Sequence, residues 1–447
     1  MISYEPPVDD ARFLLQAFDY PRIASLDAFR AYDLETVALV LEQFGEFFRA
    51  VVAPTNSIGD RKGCDFDSDT HRVTTPSQFR KTWRQLAQKG YHGTVLPPRY
   101  GGSGGPYVLG TLLDELFMAA NKSLAMFGEL SSGLARTLVE KGSEPQKNRY
   151  IPKLADGTCA ATMAMTEPQC GSDVSLIRTR AEPVDGDDRF SLTGSKRWIT
   201  GGEHDLTDNI LHLVLAKRPN PESAPGNGLA AFLVPKNLPD GTRNSVTCTG
   251  LEDKMGIHGS PTCELHFDEA DGWLIGELDD GMSTMFVMMG EIRRKVGLEG
   301  IALSEIAYQV ARDWAQQRRQ GRSLDPDKRD EAHNADPILV HPDVRRMLAE
   351  IKASTEGMRG FAVWMALQAD VARHHPRAEV RNDAQNLVDL ITPIFKAYCS
   401  ERGFANVNTA LQITGGAGYT KDLPVEQYLR DLRIASVYEG TNYIQAL

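Results

Sequence analysis

Long uncharged apolar runs are missing from this sequence of 447 residues. Its most apolar stretches are interrupted by charge or glycine within a few residues, which argues against a membrane-spanning helix. The first residues also lack the basic and apolar regions of a secretory signal. The six cysteines are dispersed and form no CxxC motif, which is typical of reduced thiols and argues against a zinc site. We therefore expect a cytoplasmic protein that binds no metal.

An excess of positive charge is missing too, because the formal net charge is −11. Nucleic-acid phosphates need a dense basic face, so nucleic acid is not expected as a partner. No Ser-His-Asp set and no HExxH motif is visible. The glycine cluster Gly415–Gly418 follows a predicted helix rather than a strand, so it is not a dinucleotide fingerprint. What is present is an ordinary composition for a globular protein, long enough for two or three domains.

Hydrophobic periodicity divides the chain into three predicted domains. Residues 1–158 are helical, residues 159–278 contain short strand-like runs between turn clusters, and residues 279–447 are helical again. In the last domain, segment 285–300 ends with glycines, and a strongly periodic segment follows until Gly321 stops it. No long helices alternate with the strands, which disfavours a doubly wound fold. We predict an α+β protein with a helical N-terminal domain, a central β domain and a C-terminal four-helix bundle.

One carboxylate, that of Glu439, lies at a predicted break between two helices. Gly440 suits the end of the first helix, and Thr441 suits the start of the second. Apolar neighbours such as Val437 and Ile444 would raise the pKa of the carboxyl group and favour general-base chemistry. Taken alone, however, this segment favours a simpler interpretation, a glutamate at a solvated helix end.

The turn Met165–Asp173 opens the predicted β domain. Pro168 and Gly171 force the chain to turn, which leaves backbone amides and the hydroxyls of Thr166 and Ser172 as donors. Such donors suit the edge of a polar heterocycle or a pyrophosphate. An ordinary β-turn is an equally good interpretation of the same residues.

Other candidate residues carry an aromatic ring, a hydroxyl or a positive charge. Trp198 and Thr200 would offer a flat ring and a hydroxyl to a ligand, although a core or interface tryptophan is commoner. Arg318 continues an apolar helix face and needs an anion, which is either a salt-bridge carboxylate or a cofactor phosphate. The basic run Arg293–Lys295 would neutralise a nucleotide phosphate, although such runs usually form a solvated face.

Two of these segments together resemble the signatures of the acyl-CoA dehydrogenase family. Met165–Asp173 (MTEPQCGSD) resembles the first signature, and Gln412–Gln445, with its ITGGAGY and VYEGTNYIQ motifs, resembles the second. They occur in order and flank a β domain, and the resemblance extends from about Arg12 to Leu447. Shorter segments such as Lys254–Gly259 (KMGIHG) resemble a narrower branch, the larger bacterial acyl-CoA dehydrogenases and the 3-methylmercaptopropionyl-CoA dehydrogenases.

The resemblance implies a flavoprotein whose FAD lies between the β domain and the bundle. A neighbouring subunit, in a homodimer or homotetramer, completes the FAD site. Ser172, Arg293 and Gly440 are implied to contact the substrate. The residues implied to bind FAD are Met165, Thr166, Gly171, Ser172, Trp198, Thr200, Arg318, Gln412, Gly415, Gly416 and Thr441.

The resemblance also implies the reaction. Glu439 matches the family's catalytic base, which removes the proton α to the thioester of an acyl-CoA while the β-hydrogen passes to flavin N5 as a hydride. Hydrogen bonds to the thioester carbonyl stabilise the developing enolate. The product is a trans-2-enoyl-CoA, and an electron-transfer flavoprotein takes the electrons. Two other interpretations stay open, a DNA-binding alkylation-response relative and an acyl-CoA oxidase.

The sequence departs from the family pattern at three places. The run Arg293–Lys295 is more basic than the usual Arg-Leu-Gly of the branch. Arg319 occupies a position, beside Arg318, that is normally apolar. The branch also normally continues beyond the position of Leu447 with a further C-terminal segment, so we expect either a truncated C-terminal bundle or a chain in which that segment is missing.

Overall fold

A computed structural model describes residues 4–185, 188–219 and 228–447. The chain forms two compact units, and each is assembled from separate stretches of sequence. The first, called the helical unit below, comprises Met1–Ser57, Pro106–Lys122 and Arg294–Leu447. The second, called the sheet unit, comprises Ile58–Gly105 and Ser123–Arg293. Each of the three predicted domains is continuous in sequence, whereas these two units are not. The division into units therefore does not test the predicted domain boundaries, which stay a prediction.

Some of the helices begin at a residue whose side chain caps them. Asp33, for example, accepts a hydrogen bond at 2.8 Å from the backbone N–H of Thr36 and so caps the helix that follows, in which Val37 and Leu41 are buried on one face. In chain order the helices are α1 (Val8–Ala17), α2 (Tyr20–Ala24), α3 (Leu34–Phe47), α4 (Asn56–Lys62), α5 (Ser77–Gln88), α6 (Tyr107–Ala120), α7 (Lys122–Lys141), α8 (Glu144–Ala155), α9 (Gly281–Gln317), α10 (Pro342–His374), α11 (Ala378–Thr414), α12 (Gly416–Tyr419), α13 (Val425–Arg433) and α14 (Asn442–Ala446).

Helix α9 is unbroken, although glycines were predicted to end a segment near residue 300. A Cβ atom on Gly300 would lie 2.0 Å from the carbonyl oxygen of Cys399, and one on Gly403 would lie 2.5 Å from the Cα atom of Gly300. These glycines therefore allow α9 and α11 to pack backbone against backbone. They are contact residues rather than helix stops. The helix ends at Gln317, four positions before the predicted stop at Gly321.

The sheet unit is built on a seven-stranded sheet. Its spatial order is β3-β6-β4-β5-β9-β7, β8 pairs with β9, and a further pairing of β6 with β7 closes the sheet on itself. The pairs of β6 with β3 and β4 are parallel and the others are antiparallel. In chain order the strands, with an additional hairpin β1–β2, are β1 (Asp65–Asp67), β2 (Arg72–Thr74), β3 (Cys159–Ala164), β4 (Arg180–Pro183), β5 (Arg189–Thr200), β6 (Asn209–Lys217), β7 (Leu229–Pro235), β8 (Val246–Leu251) and β9 (Thr262–Ile275).

Most of the predicted strands are present, with three differences. Strand β4 was missed because it alternates little, and hairpin β1–β2 lies inside a region that was predicted to be helical. Two predicted runs, 189–193 and 197–200, are one strand, β5. Alternate side chains from these strands, such as Leu192, Val214 and Phe232, fill the core of the sheet unit.

Candidate active site

The segment around Glu439 links two helices, as predicted. Helix α13 ends earlier than expected, at Arg433, and a short 3-10 turn follows. Glu439 has φ of 59° and Gly440 has φ of 85°, so both lie in the left-handed region. Thr441 then caps α14, because its hydroxyl accepts a hydrogen bond at 3.2 Å from the backbone N–H of Ile444. A glutamate with positive φ is uncommon, and such strain often marks a functional position.

Two side chains hold the backbone of this segment. The Nζ atom of Lys396 on α11 donates to the carbonyl oxygen of Gly440 at 2.8 Å and to the Oδ1 atom of Asn442 at 3.0 Å. The Nε2 atom of Gln445 donates to the carbonyl oxygens of Glu439 and Gly440, at 3.1 Å each. Lys396 is fully buried. The backbone on either side of the left-handed turn is thus fixed by hydrogen bonds from α11 and α14.

Tyr438 anchors the same segment to α9. Its hydroxyl donates to the Oε1 atom of Glu299 at 2.5 Å, and the Nζ atom of Lys122 lies 2.8 Å from the same oxygen. Glu299 and Lys122 are both buried. Glu439 is half-buried and directly follows this tyrosine, which a buried ion pair holds in place. The alternative interpretation, in which Glu439 is a glutamate at a solvated helix end, is therefore wrong.

In the sheet unit, the turn after β3 has the predicted tight form. Backbone hydrogen bonds of 2.9 and 3.0 Å join Glu167 and Cys170 in both directions across Pro168 and Gln169. Ser172 is exposed, and Met165, Thr166 and Gly171 are partly exposed. The turn thus presents to its surroundings the residues that the sequence predicted to bind a ligand.

A buried ion pair locks this turn. The Nζ atom of Lys196 lies 2.9 Å from the Oε1 atom of Glu167 and also donates to the carbonyl oxygens of Met165 and Leu215, at 3.0 and 2.7 Å. Glu167 accepts two further hydrogen bonds from Thr179. Burial acts to raise the pKa of Glu167, but the Lys196 ammonium and these hydrogen bonds outweigh it and lower the pKa to about 2. The pair is therefore charged at neutral pH.

Trp198 lies at a bulge in strand β5. The pairing with β9 shifts between Lys196 and Ile199, and Trp198 has φ of 59°. The indole is 53% exposed, so the alternative of a core tryptophan is wrong. Arg197 lies over the ring at 5.3 Å and forms an ion pair with Glu252 at 2.7 Å. The bulge turns a flat aromatic ring outward, with Thr200 two positions along the same strand.

Arg318 lies just beyond the end of α9 and is exposed. Its guanidinium carbon lies 6.0 Å from the centre of the Trp314 ring. Within the described residues it makes no ion pair, so the alternative of a salt bridge within the subunit is not observed. The neighbouring Arg319, at a position that the resemblance predicts to be apolar, pairs with Asp330 at 2.7 Å and donates to the carbonyl oxygen of Ala335. It therefore ties down the charged loop that follows α9.

The glycines after α11 are open to their surroundings. Gln412, Gly415 and Gly416 are exposed, and a Cβ atom on Gly415 or Gly416 would have no neighbour within 4 Å. Gly415 has φ of 59°, which ends the helix. Exposed glycines allow phosphates to approach the backbone, and a flat exposed ring can pack against an aromatic one, so each group of residues, taken by itself, suits a part of FAD.

The basic run in α9 differs from the prediction. Arg293 is partly exposed and lies over the ring of Phe286, at 5.9 Å. Arg294 and Lys295 are 9% and 5% exposed, so the interpretation as a solvated face is wrong for these two. Both positions lie in the buried middle of α9, where residues 294–303 are all buried.

Several residues at these sites were missed from the sequence, namely Lys196, Lys396, Glu299 and Gln445. The partners of Lys196, Lys396 and Glu299 are distant along the chain, so spacing carries no signal for these three. Gln445 lies close in sequence to the carbonyl groups that it contacts. No cluster of metal-ligating side chains is found in residues 4–185, 188–219 and 228–447. In the same described residues, no helix has the length and apolar character to cross a membrane. The predicted location stays a prediction.

Comparisons with known proteins agree on one family. Sequence models of the acyl-CoA dehydrogenase N-terminal, middle and C-terminal domains match residues 35–158, 162–270 and 279–447. The 3-methylmercaptopropionyl-CoA dehydrogenase of Ruegeria pomeroyi is 38% identical over all of this chain and 75% of its own length. The broad-specificity linear acyl-CoA dehydrogenase FadE5 of Mycobacterium tuberculosis is 36% identical over all of this chain and 74% of its own length.

A solved structure shows the same fold. The acyl-CoA dehydrogenase complexed with FAD from Bacillus anthracis has a TM-score of 0.76 at 24% identity, over 95% of this chain and 67% of its own. The predicted fold class, with helical, β and helical domains in that order, is thereby confirmed. The chain belongs to the acyl-CoA dehydrogenase family, whose members are FAD-dependent oxidoreductases acting on CH–CH bonds.

Proposed function

We propose that this protein oxidises the α,β bond of an acyl-CoA thioester to the trans-2-enoyl-CoA, with Glu439 as the base. One observation carries the proposal. Glu439 is held in a left-handed conformation, and the carbonyl groups beside it are fixed by Lys396 and Gln445. Strain that the surrounding structure maintains in this way is typical of a residue with a positional task.

The residues of this chain bind the substrate and move one proton. The Glu439 carboxylate takes the proton α to the thioester carbonyl, and its own backbone N–H donates to the carbonyl oxygen as negative charge develops. Ser172, Arg293 and Gly440 contact the substrate. The chemistry that FAD would supply here, when bound, is acceptance of the β-hydrogen as a hydride. Burial of one carboxylate oxygen of Glu439 supports its use as a base, because water is largely kept from that atom.

We infer that the cofactor contacts divide between two copies of the chain. Met165, Thr166, Gly171, Ser172, Trp198, Thr200 and Thr441 serve the FAD of their own subunit, while Arg318, Gln412, Gly415 and Gly416 reach the FAD of the neighbour. The exposure of the second group supports this division, and so does Arg318, which forms no ion pair within the part of the chain that the structure describes. So does an exposed apolar stripe on α11, with Leu390, Ile394 and Tyr398 at successive turns.

The anaerobic reduction of the bound flavin tests this function. Purified holoprotein is mixed with saturated acyl-CoAs, from short linear and thioether chains to long ones, and the flavin absorbance is followed. We expect at least one acyl-CoA to bleach the flavin, with a trans-2-enoyl-CoA appearing by mass spectrometry. A protein that binds FAD but is bleached by no acyl-CoA contradicts the proposal.

The electron acceptor is tested in the same preparation. We propose that an electron-transfer flavoprotein reoxidises the reduced enzyme, as the family resemblance implies. Reoxidation by this partner is expected to be much faster than reoxidation by dissolved oxygen. Fast reoxidation by oxygen with release of hydrogen peroxide would instead identify an acyl-CoA oxidase.

A further inference from the structure

An ion pair is buried in the helical unit at the place where Tyr438 is anchored. The Nζ atom of Lys122 lies 2.8 Å from the Oε1 atom of Glu299, and the two side chains are 1% and 0% exposed. A buried ion pair is weak evidence for stability, because apolar side chains of similar volume often serve the fold as well or better. The presence of this pair at the anchor of Tyr438 therefore requires another explanation.

Both members of the pair lie on firmly held backbone. Glu299 lies in the buried middle of α9, and it precedes Gly300, at which α9 packs against the backbone of α11. Lys122 is the first residue of α7. It follows Asn121, whose amide nitrogen donates to the hydroxyl of Thr55 at 2.8 Å. The pair is therefore a rigid support rather than a flexible surface contact.

The hydrogen bonds of Glu299 are concentrated on one carboxylate oxygen. Its Oε1 atom lies near the Lys122 ammonium and also accepts a hydrogen bond from the Tyr438 hydroxyl, at 2.5 Å. Its Oε2 atom is buried and has no hydrogen-bond partner in residues 4–185, 188–219 and 228–447. A buried oxygen without a partner costs free energy. The arrangement thus favours a strong, charge-assisted hold on Tyr438 over full hydrogen bonding of the carboxylate.

This hold complements the contacts on the other side of the proposed base. Hydrogen bonds from Lys396 and Gln445 fix the two carbonyl groups that follow the Cα atom of Glu439. Tyr438 precedes that atom, and the peptide between Tyr438 and Glu439 carries the N–H group that is proposed to donate to the thioester carbonyl. A peptide unit is planar, so fixing the residues at both of its ends fixes the direction of its N–H bond.

We propose that Lys122 and Glu299 are positioning residues for the reaction. They act through the hydroxyl of Tyr438 on the peptide N–H and the carboxylate of Glu439. This inference rests on the proposed function. Glu299 supplies the acceptor that fixes the tyrosine, and Lys122 supplies the opposite charge that a buried carboxylate needs. Small misplacements of a reacting group slow the chemical step, so the pair contributes to the rate of flavin reduction rather than to the binding of acyl-CoA.

Tyr438→Phe removes the anchored hydroxyl and leaves the ion pair in place. The probe is the acyl-CoA that reduces the wild-type flavin fastest. Stopped-flow mixing of the FAD-loaded protein with a series of its concentrations gives the saturating rate of flavin reduction and the dissociation constant. We expect the rate to fall about tenfold, while the dissociation constant changes by less than about twofold. Tyr308→Phe, which removes a hydroxyl elsewhere on α9, is the matched control and should keep the wild-type rate. An unchanged rate in Tyr438→Phe, or a rate loss matched by weaker binding, would overturn the inference.

A double-mutant cycle tests whether the pair acts through the tyrosine. Lys122→Met/Glu299→Leu removes both charges, which avoids a buried unpaired charge, and should also lower the rate about tenfold. If both changes break the same link, adding Tyr438→Phe should cause no further loss. A combined loss of about a hundredfold, the product of two independent effects, contradicts the inference. If this double variant does not fold, Lys122→Met/Glu299→Met, with a more adaptable side chain, takes its place with the same expected result.

A spectroscopic measurement tests the direction of the N–H group without turnover. The trans-2-enoyl-CoA product is isotopically labelled at the thioester carbonyl, and the infrared stretching frequency of that bond is compared between the free and bound forms. Binding to the wild type should lower the frequency, because a hydrogen bond polarises the carbonyl group, and binding to Tyr438→Phe should lower it less. Equal shifts in the two proteins would show that the tyrosine does not orient the N–H group. Failure of the proposed function is separately visible, because the wild-type flavin is then reduced by no acyl-CoA.

Discussion

Two buried lysines hold the two segments that carry the site residues, and they do so in different ways. Lys196 in the sheet unit faces the charged carboxylate of Glu167 and two carbonyl oxygens. Lys396 in the helical unit donates to the carbonyl oxygen of Gly440 and to the side-chain oxygen of Asn442. The first contact is an ion pair inside a hydrophobic core. The second contact includes the carbonyl group of Gly440, the residue directly after the proposed base.

We therefore expect Lys196 to contribute mainly to the stability of the fold and Lys396 mainly to catalysis. Removing one member of a buried ion pair leaves a charge that the protein cannot solvate, so Lys196 should matter most for folding. Removing Lys396 leaves Gly440 with the hydrogen bond from Gln445, so the segment should stay folded but lose its fixed orientation. The same residue type thus supports the fold in one unit and the geometry of the base in the other.

The largest effect is expected for Lys196→Met. This change leaves Glu167 buried without its cation and should lower the free energy of unfolding by about 3–5 kcal/mol. Urea unfolding followed by circular dichroism measures the loss. The double variant Lys196→Met/Glu167→Leu, which removes both charges, should recover much of it, and a single variant as stable as wild type would contradict the electrostatic explanation.

The pH dependence of stability comes next in size. The folded-state pKa of Glu167 is about 2, below its usual value. Its contribution to the free energy of unfolding is therefore present at neutral pH and is lost as pH falls from about 4.5 towards 2. Over that pH range we expect the free energy of unfolding of the wild type to fall by about 3 kcal/mol more than that of Glu167→Gln. Urea titrations at several pH values test this, and parallel pH profiles would refute it.

Lys396→Met should have a smaller effect, and mainly on turnover. Because the backbone beside Glu439 loses one anchor, we expect kcat for flavin reduction to fall about ten- to a hundredfold, since small misplacements of a reacting group cost about this much. The free energy of unfolding should change less than it does in Lys196→Met. Stopped-flow reduction at saturating acyl-CoA gives the rate.

Two further variants distinguish positioning from general damage. The exposed Lys421→Met in the same unit serves as the control and should keep the wild-type rate. Lys396→Arg retains a donor and should recover part of the rate. A loss of FAD binding or of folding in Lys396→Met, with no selective effect on kcat, would assign this lysine to the fold alone.

Local features of the fold and site were predictable from the sequence because their physical causes are local. Alternating apolar residues predicted most strands, and Gly440 and Thr441 predicted the break at which Glu439 lies. The sequence predicted that Trp198 offers its ring to a ligand, but it did not predict the left-handed conformation of this residue, because the bulge depends on pairing with β9.

Features that depend on distant residues were not predictable. Lys196 and Glu167 are 29 positions apart, and Lys396 and Gly440 are 44 positions apart, so neither contact leaves a spacing pattern. The burial of Arg294 and Lys295 was missed for the same reason, because their partners Tyr107 and Asp114 lie on α6.

The anaerobic reduction rate of Glu439→Gln is the most direct test of the proposed mechanism. This variant keeps the shape of the side chain but cannot accept the α-proton. We predict that it binds FAD and acyl-CoA as wild type does, while flavin reduction slows by about a thousandfold or more. The exposed Glu401→Gln should reduce its flavin at the wild-type rate. Flavin reduction by Glu439→Gln at the wild-type rate would show that Glu439 is not the base.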